Sequence, residues 1–182
     1  MPDAIQQFDL QILEWIRIHL QNGILDPLMV FFNYLGSAVT WIIFCILLLL
    51  IPKTRKDGLV ATCGLLSGVL LANVILKNLI RRPRPCWLRP DIPLLVPSPS
   101  DYSFPSGHVM ASTIFAVIMI RKHPKLAFIL IPANLLMVFS RMYLYVHFPS
   151  DVLFSLVTGT ILGLLTCLAE SKFRARYREL SC

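Results

Sequence analysis

The stretch SRMYLYVHFPSD, residues 140–151, separates two apolar segments and marks where one helix ends and the next begins. Pro149 suits the first position of a helix, because the missing N–H of proline costs nothing there. Asp151 then lies in the first turn, where the helix dipole favours a negative charge. His147 comes just before that helix, with the carboxylate of Asp151 within reach of one ring nitrogen. A carboxylate that holds one nitrogen leaves the other free to attack or to take a proton.

The same stretch also has a purely structural interpretation. A histidine at the end of a buried helix is often a packing residue, and Arg141 and Asp151 near a membrane boundary can simply face water. Residues 140–151 support the two interpretations about equally. The rest of the chain has to decide between them.

Composition places the chain in a membrane. Of its 182 residues, 56% are hydrophobic and only 15% are charged, and the mean hydropathy is +0.69. Because a helix satisfies its own backbone hydrogen bonds in lipid, this composition predicts an all-α, polytopic membrane helix bundle. The length predicts a single domain over residues 1–182.

The apolar segments predict five transmembrane helices after an N-terminal amphipathic helix over residues 5–20. The predicted spans are 26–51, 59–80, 106–121, 126–142 and 149–170. The amphipathic helix either lies at the membrane interface or packs on the bundle. In the first span, Asn33, Gly36 and Ser37 predict a bend or a close packing contact.

Small residues at helical spacing predict tight contacts between the spans. Gly64 and Gly68 are four residues apart in the second span, and Gly159 and Gly163 are four apart in the fifth. Close backbone approach at such positions favours one compact bundle.

Basic residues predict the orientation of the chain. Ten of the seventeen Lys and Arg residues lie in three groups that flank apolar spans, at 53–56, 121–125 and 172–178, the last ending at Arg178. This is the pattern of positive-inside loops in a cell-membrane protein. No aromatic residues interleave with exposed basic ones, so nucleic acid is not an expected partner. If the basic groups are cytoplasmic, segments 81–105 and 141–148 face outward.

The cysteines and the N-terminus exclude other classes. The five cysteines, of which Cys182 is the last, form no CxxC pair, so neither a disulfide framework nor a zinc site is expected. The segment MPDAIQQFDL lacks a basic region followed by an apolar core, and no cleavable signal peptide is expected.

Two further polar segments lie at predicted span ends. Lys77 and Arg84 are cations seven positions apart, at the start of a loop with seven of the thirteen prolines. An arginine fork and a lysine point charge suit phosphate, although basic residues at a helix end also commonly reach for the interface.

The other segment is PSGH at 105–108. Ser106 is a suitable N-cap, Gly107 allows close backbone approach, and the N–H groups of the helix start favour an anion. His108 stands beside that anion site, placed for proton transfer. An ordinary helix cap with an incidental histidine is the structural alternative.

The predicted topology puts all three polar segments on one face of the membrane. Together they supply cations, a helix N-terminus, two histidines and one carboxylate, which is a phosphate cradle with a nucleophile and an acid. No carboxylate cluster of the kind that holds Mg²⁺ or Ca²⁺ accompanies them. We therefore expect no metal and no cofactor.

These segments resemble the three-part signature of the type 2 phosphatidic acid phosphatase (PAP2) family. Lys77 to Arg84-Pro85 matches its first part, residues 105–108 its second, and Ser140-Arg141, His147 and Asp151 its third. No signature position departs from the pattern, and the match spans residues 77–151.

The resemblance implies a role for each matched residue. His147 attacks phosphorus and forms a phosphohistidine, Asp151 orients His147, and His108 protonates the leaving group. The residues implied to hold the phosphate are Lys77, Arg84, Ser106, Gly107 and Arg141. The resemblance also implies a PAP2-type membrane core.

The expected substrate is a lipid phosphate. A phosphate site at the edge of the bilayer favours a lipid whose tail lies between helices, and the small size resembles bacterial undecaprenyl diphosphate phosphatases of this family. Phosphatidylglycerophosphate and phosphatidic acid remain alternatives. A protein that binds or translocates a lipid phosphate without turnover is the alternative of another class.

Overall fold

A computed structural model of the protein describes residues 3–180, in which it has helices and no strand. In chain order the helices are α1 Asp3–Leu20, α2 Leu25–Leu35, α3 Ala38–Leu50, α4 Arg55–Val69, α5 Lys77–Ile80, α6 Pro85–Leu88, α7 Gly107–Lys122, α8 Ala127–Tyr143 and α9 Pro149–Leu180. A π-helical stretch, Leu70–Leu76, joins α4 to α5. The side chain of Arg178 and all of Cys182 lie outside the described residues.

Within the described part, three helical segments are long and apolar enough to cross a membrane. They are Arg55–Leu88, Pro124–Tyr143 and Pro149–Tyr177. A fourth candidate is the pair formed by α2 and α3, bent by 58°. The predicted span at 106–121 is α7, whose 16 residues cover only about 24 Å. The protein is therefore an all-helical, multi-pass membrane protein with three or four candidate spans.

The predicted bend in the first span is confirmed at Gly36. Helix α2 ends there, and Ser37 begins α3 as its N-cap, accepting a hydrogen bond from the Thr40 N–H at 3.3 Å. A Cβ on Gly36 would come within 2.6 Å of His108 Cδ2. Glycine is needed here because the bend packs directly against the start of α7.

Helix α7 lies at the centre of the bundle, against α4, α8 and α9. The predicted small-residue contacts are confirmed on two of its sides. A Cβ on Gly64 would lie 2.6 Å from Ile118 Cδ1, and one on Gly163 would lie 2.8 Å from Val117 Cβ. These close approaches fix α7 between α4 and α9.

Helix α1 packs on the bundle, but several of its apolar side chains remain exposed. Leu13 and Ile16 are buried, together with the charged Asp9, whereas Phe8 and Trp15 stay 63% and 54% exposed. The buried side of α1 is therefore partly polar, and it faces α8 and α9.

The end of the bundle opposite Lys77 is tied by ion pairs. Lys122, at the end of α7, contacts Asp57 at 3.3 Å and Glu170 at 2.7 Å. These contacts bring together the start of α4, the end of α7 and a late turn of α9. The other ends of the same helices meet at the far side of the bundle.

Overpacking the α7–α9 contact should destabilise the fold. Replacing Gly163 by Leu forces a large side chain against Val117 and should cost about 1–3 kcal/mol of stability. The measurement is thermal unfolding in detergent. Gly23→Leu is the matched control, because a Cβ on Gly23 meets nothing within 4 Å. Equal melting temperatures for the two variants would contradict this packing.

Candidate active site

A cavity of about 650 Å³ opens where the ends of the helices meet. Its polar end is formed by the end of the π-helical stretch, the start of α7, the end of α8 and the turn before α9. Six predicted site residues line it: Lys77, Arg84, Gly107, His108, Arg141 and His147. The structure therefore brings all three polar segments of the sequence to one place.

The two cations of the first segment converge on a single carboxylate. Lys77 Nζ pairs with Asp101 Oδ2, and Arg84 Nη2 donates to Asp101 Oδ1 at 2.6 Å. Arg84 Nε also donates to the Asp101 carbonyl oxygen at 2.6 Å. Lys77 and Arg84 are buried, while the Asp101 side chain is 52% exposed at the mouth of the cavity. The carboxylate of Asp101 therefore occupies the two cations at the mouth of the cavity.

The charge state of Asp101 follows from these contacts. Partial burial raises its pKa, but the hydrogen bond from Lys77 and the positive charge of Arg84 outweigh burial and lower the pKa to about 2. Asp101 is therefore an anion throughout the physiological pH range.

The π-helical stretch and the first residue of α5 each contribute one polar side chain to the same cavity. Asn73 and Lys77 are one turn apart and both line it. A Cβ on Gly107 would lie 3.1 Å from Asn73 Oδ1. The missing side chain of Gly107 therefore lets the Asn73 amide rest on the first turn of α7. Such π insertions often mark functional sites, because they re-aim side chains within a helix.

Arg141 and His108 face each other across the bend between α2 and α3. Arg141, at the end of α8, is buried, and its Nη1 donates to Asn33 Oδ1 at 2.6 Å. The imidazole of His108 packs against the bend at Gly36, where an added Cβ would lie 2.6 Å from His108 Cδ2. The bent span thus contacts both groups, Arg141 through Asn33 and His108 through Gly36.

His147 points its Nε2 atom into the cluster of cations. Arg84 Nη1 lies 3.1 Å from His147 Nε2 and donates to the Val146 carbonyl oxygen at 2.7 Å. Because a guanidinium can only donate, Nε2 must carry the lone pair, and the proton of the neutral ring is on Nδ1. Burial, together with the charges of Arg84 and Arg141, holds the pKa of His147 well below its usual value. The ring is therefore neutral at neutral pH, with the lone pair of Nε2 directed toward Arg84.

Asp151 lies behind His147, but it is not hydrogen-bonded to it. Its Oδ2 is 3.9 Å from His147 Nδ1, which is beyond hydrogen-bond distance. Oδ2 instead accepts from Ser103 Oγ at 2.5 Å and from the Phe148 N–H at 3.2 Å. Oδ1 accepts from Arg82 Nη1 at 2.5 Å.

Ser106 occupies the N-cap position of α7 without capping it. Its side chain makes no cap hydrogen bond, and its backbone N–H donates to Ser155 Oγ at 2.8 Å. Ser106 is fully buried, and it is not among the residues that line the cavity. The expectation that Ser106 caps the helix is wrong, because the backbone of Ser106 is held by α9 instead.

Sequence reasoning missed several residues of this site. Asp101 and Asn73 line the cavity, Asn33 positions Arg141, and Arg82 and Asp9 support Asp151. Arg82 gave the one usable signal, as an arginine in an outer loop where a simple charge rule does not expect it. The others are single polar residues whose partners are distant in sequence.

Away from the polar end the cavity is apolar. It continues between α3 and α4 along residues that include Trp41, Ile46, Leu49, Leu65, Leu66 and Val69. From Gly36 to Leu49 this wall is about 20 Å long at 1.5 Å per residue. The cavity therefore has a cationic end that continues into a long apolar cleft.

Residues 3–180 contain no group of three or more His, Cys, Asp or Glu placed to hold a metal ion. The free cysteines in this range, Cys45, Cys63, Cys86 and Cys167, form no disulfide with one another.

The fold and the site define a helical membrane protein with a cavity whose buried end gathers three cations and two histidines. The PAP2 superfamily profile matches residues 57–175. The chain belongs to the PAP2 superfamily.

Two characterised relatives act on phosphates of polyprenyl lipids. The chain is 33% identical over 165 residues to an undecaprenyl-diphosphatase of Sulfolobus acidocaldarius, covering 90% of this chain and 79% of that protein. It is 35% identical over 144 residues to the decaprenylphosphoryl-5-phosphoribose phosphatase of Mycobacterium tuberculosis, covering 78% of each chain.

The crystal structure of a transmembrane PAP2-type phosphatidylglycerolphosphate phosphatase from Bacillus subtilis has the same fold. The TM-score is 0.76 at 28% identity, covering 93% of this chain and 87% of that one.

Removing the carboxylate from the cations should strengthen the binding of phosphate. Asp101→Asn frees Lys77 and Arg84 of their competing anion, and inorganic phosphate should bind about tenfold more tightly, a gain of about 1.4 kcal/mol. The measurement is calorimetric titration of the detergent-solubilised protein with phosphate. Asp91→Asn removes the same charge from the same loop, where Asp91 pairs with Arg89, and it should change phosphate binding little. Equal affinities for the two variants would contradict this assignment.

Proposed function

We propose that this protein is a membrane lipid phosphatase that hydrolyses undecaprenyl diphosphate to undecaprenyl phosphate. The observation that carries the proposal is His147 Nε2, unprotonated and 3.1 Å from Arg84 Nη1, at the cationic end of a cavity whose other walls are apolar. That combination suits a phosphate head with a hydrocarbon tail. Phosphatidylglycerophosphate and phosphatidic acid are the alternative substrates.

The proposed reaction has two in-line displacements. In the first, the lone pair of His147 Nε2 attacks the terminal phosphorus, an N–P bond forms, and the bond from phosphorus to the lipid-side oxygen breaks. His108 gives a proton to that leaving oxygen. In the second, water attacks phosphorus with His108 as the base, the N–P bond breaks, and inorganic phosphate leaves.

Lys77, Arg84 and Arg141 stabilise the charge that develops on the phosphate oxygens. Gly107 adds its backbone at the start of α7, and Ser106 supports that turn from behind. The carboxylate of Asp101 must give up the two cations that it contacts before phosphate binds there. No metal takes part in this scheme.

Asp151 acts on the other side of the imidazole. In the phosphohistidine the ring is positively charged, and Asp151 accepts the Nδ1–H bond when the present 3.9 Å separation closes by about 1 Å. Hydrogen bonds of this kind are often long without substrate and tighten in the reacting complex.

The apolar cleft between α3 and α4 holds the lipid tail. Its open side faces the outside of the bundle. The side chains of Ile42, Ile46 and Leu66 line this side and are each about half exposed or more. A long chain therefore lies along the cleft with its head at Lys77 and Arg84.

We further propose five membrane passes within one domain, with the short α7 as the third, enclosed by the other helices. The basic residues near Asp57 and Lys122 mark the cytoplasmic end, and the active site opens on the extracytoplasmic face. Two observations support this orientation. The chain belongs to a family of membrane phosphatases, and the basic residues near Asp57 and Lys122 lie at the end of the bundle opposite the active site.

A lipid-phosphate binding or translocating protein remains the second candidate, because the cationic cavity suits binding as well. The unprotonated Nε2 of His147 beside a second histidine favours turnover, since binding requires only cations.

Loss of the nucleophile should abolish turnover. His147→Ala should lower phosphate release by more than about a thousandfold. The assay uses purified protein in detergent with EDTA, and compares undecaprenyl diphosphate, phosphatidylglycerophosphate and phosphatidic acid. Release by the wild type that disappears in the variant supports a metal-independent phosphohistidine enzyme. If the wild type binds these lipids but releases no phosphate, the binding or translocating function is the correct one.

Filling the cleft should affect long-tailed substrates selectively. Ile46→Trp narrows the cavity near the middle of α3, so the KM for undecaprenyl diphosphate should rise about tenfold, as the lost burial of a few methylenes implies. A short-chain, water-soluble analogue should be hydrolysed as by the wild type. Ile43→Trp changes an exposed residue of the same helix that does not line the cavity, and serves as the control. Equal effects on both substrates would exclude the cleft as the tail site.

A further inference from the structure

The carboxylate behind the nucleophile belongs to a buried ion triad that includes the N-terminal helix. Arg82 Nη1 contacts Asp151 Oδ1 at 2.5 Å, and Arg82 Nη2 contacts Asp9 Oδ2 at 2.7 Å. All three side chains are at most 3% exposed. One cation therefore lies between two carboxylates, one from α1 and one from α9.

We propose that Asp9 and Arg82 are positioning residues for the reaction, through which α1 sets the place and the charge of the carboxylate behind His147. This inference rests on the proposed phosphatase function, since it concerns the same nucleophile. Neither residue touches the cavity or the reacting atoms.

Asp9 first affects the net charge beside His147. If Arg82 contacted Asp151 alone, the buried pair would be neutral, and little negative charge would remain to stabilise a positively charged His147. Asp9 shares the guanidinium, so the triad carries one net negative charge beside the imidazole. Opposite charges interact strongly in a buried site, and this remaining charge favours the phosphohistidine state.

Asp9 also fixes the start of α9, which carries Asp151. The Ser150 N–H donates to Asp9 Oδ1 at 3.0 Å, and Ser150 Oγ donates to Asp9 Oδ2 at 2.5 Å. An N–H in the first turn of α9 has no partner within its own helix, so Asp9 caps α9 from another helix. Asp151 is the next residue, and its backbone position follows from this cap.

The guanidinium of Arg82 is held in one orientation by its neighbours. Arg82 Cζ lies 3.8 Å from the centre of the Phe148 ring, and Arg82 Nη1 also donates to Ser150 Oγ at 2.8 Å. Stacking on Phe148, together with the ion pairs to Asp9 and Asp151, restricts the planar guanidinium to one orientation. Phe148 directly follows His147, so the same guanidinium also restrains the turn that carries the nucleophile.

A purely structural triad is the competing explanation. Buried ion pairs seldom stabilise a fold better than apolar residues of the same volume, and removing one partner destabilises it. The test must therefore separate catalysis from stability. Glu14 supplies the matched control: it lies on the same helix, and its Oε1 accepts from Tyr145 Oη at 3.0 Å, in the same turn, without contacting Asp151.

The first experiment compares Asp9→Asn with Glu14→Gln in the purified full chain. Asp9→Asn should lower kcat about tenfold and change KM and phosphate inhibition less than about twofold, because the phosphate-holding residues are untouched. Glu14→Gln should keep kcat within about twofold of the wild type, because Glu14 does not contact Asp151 or Arg82. Arg82→Lys keeps the charge but not the fork, and should fall to about the kcat of Asp9→Asn.

The second experiment needs no turnover. Diethyl pyrocarbonate acylates neutral imidazoles, and mass spectrometry follows His147, with the exposed His19 and His123 as internal references. In Asp9→Asn the modification of His147 should be at least about threefold slower, as expected for a less basic nucleophile.

The outcomes distinguish this inference from the proposed function. If the wild type hydrolyses a lipid phosphate but Asp9→Asn matches Glu14→Gln in kcat and in modification rate, the triad is structural and the inference is wrong. If no lipid is hydrolysed, the phosphatase function fails, and the modification rate still decides whether Asp9 acts on His147.

Discussion

Burial of several positive charges in an apolar bundle is the constraint on which this structure depends. Lys77, Arg84 and Arg141 are all buried at one end of the helices. Isolated charges in such a place cost several kcal/mol each, so each must find an acceptor. Lys77 and Arg84 find Asp101, and Arg141 finds the amide oxygen of Asn33. The buried cations of this site are thus stabilised by the side-chain oxygens of Asp101 and Asn33.

Close helix packing makes this arrangement possible. Glycines at the bend after α2 and along α4 and α9 let backbones approach the central helix α7. Because α7 is short and enclosed, its first turn starts beneath the mouth of the cavity, next to Asn73 of the π-helical stretch. The same close packing leaves a cleft between α3 and α4 that extends from the cations. One cavity therefore has a polar half at the start of α7 and an apolar half between α3 and α4.

Two separate polar networks surround His147. On its Nε2 side, Arg84 and its carboxylate partner Asp101 face the cavity. On its Nδ1 side, Asp151 is held by Arg82, which is shared with α1. The imidazole separates the two, so a change in either network acts on the same ring. The N-terminal helix, which looks peripheral in the sequence, belongs to the second network.

The sequence by itself determined the class of the molecule, the approximate helices and the predicted site. Long apolar segments require helices in lipid, and three gapped motifs in order identified Lys77, Arg84, His108, Arg141 and His147, which the structure brings to one cavity. The sequence could not determine what holds those residues. The bond between Asp9 and Arg82 joins positions 73 residues apart, and no local pattern encodes such a pair. Likewise, whether Ser106 caps its helix and how far Asp151 lies from His147 depend on neighbouring helices. Only the tertiary structure decides these contacts, because hydrogen bonds of buried side chains are set by packing between helices and not by spacing along one.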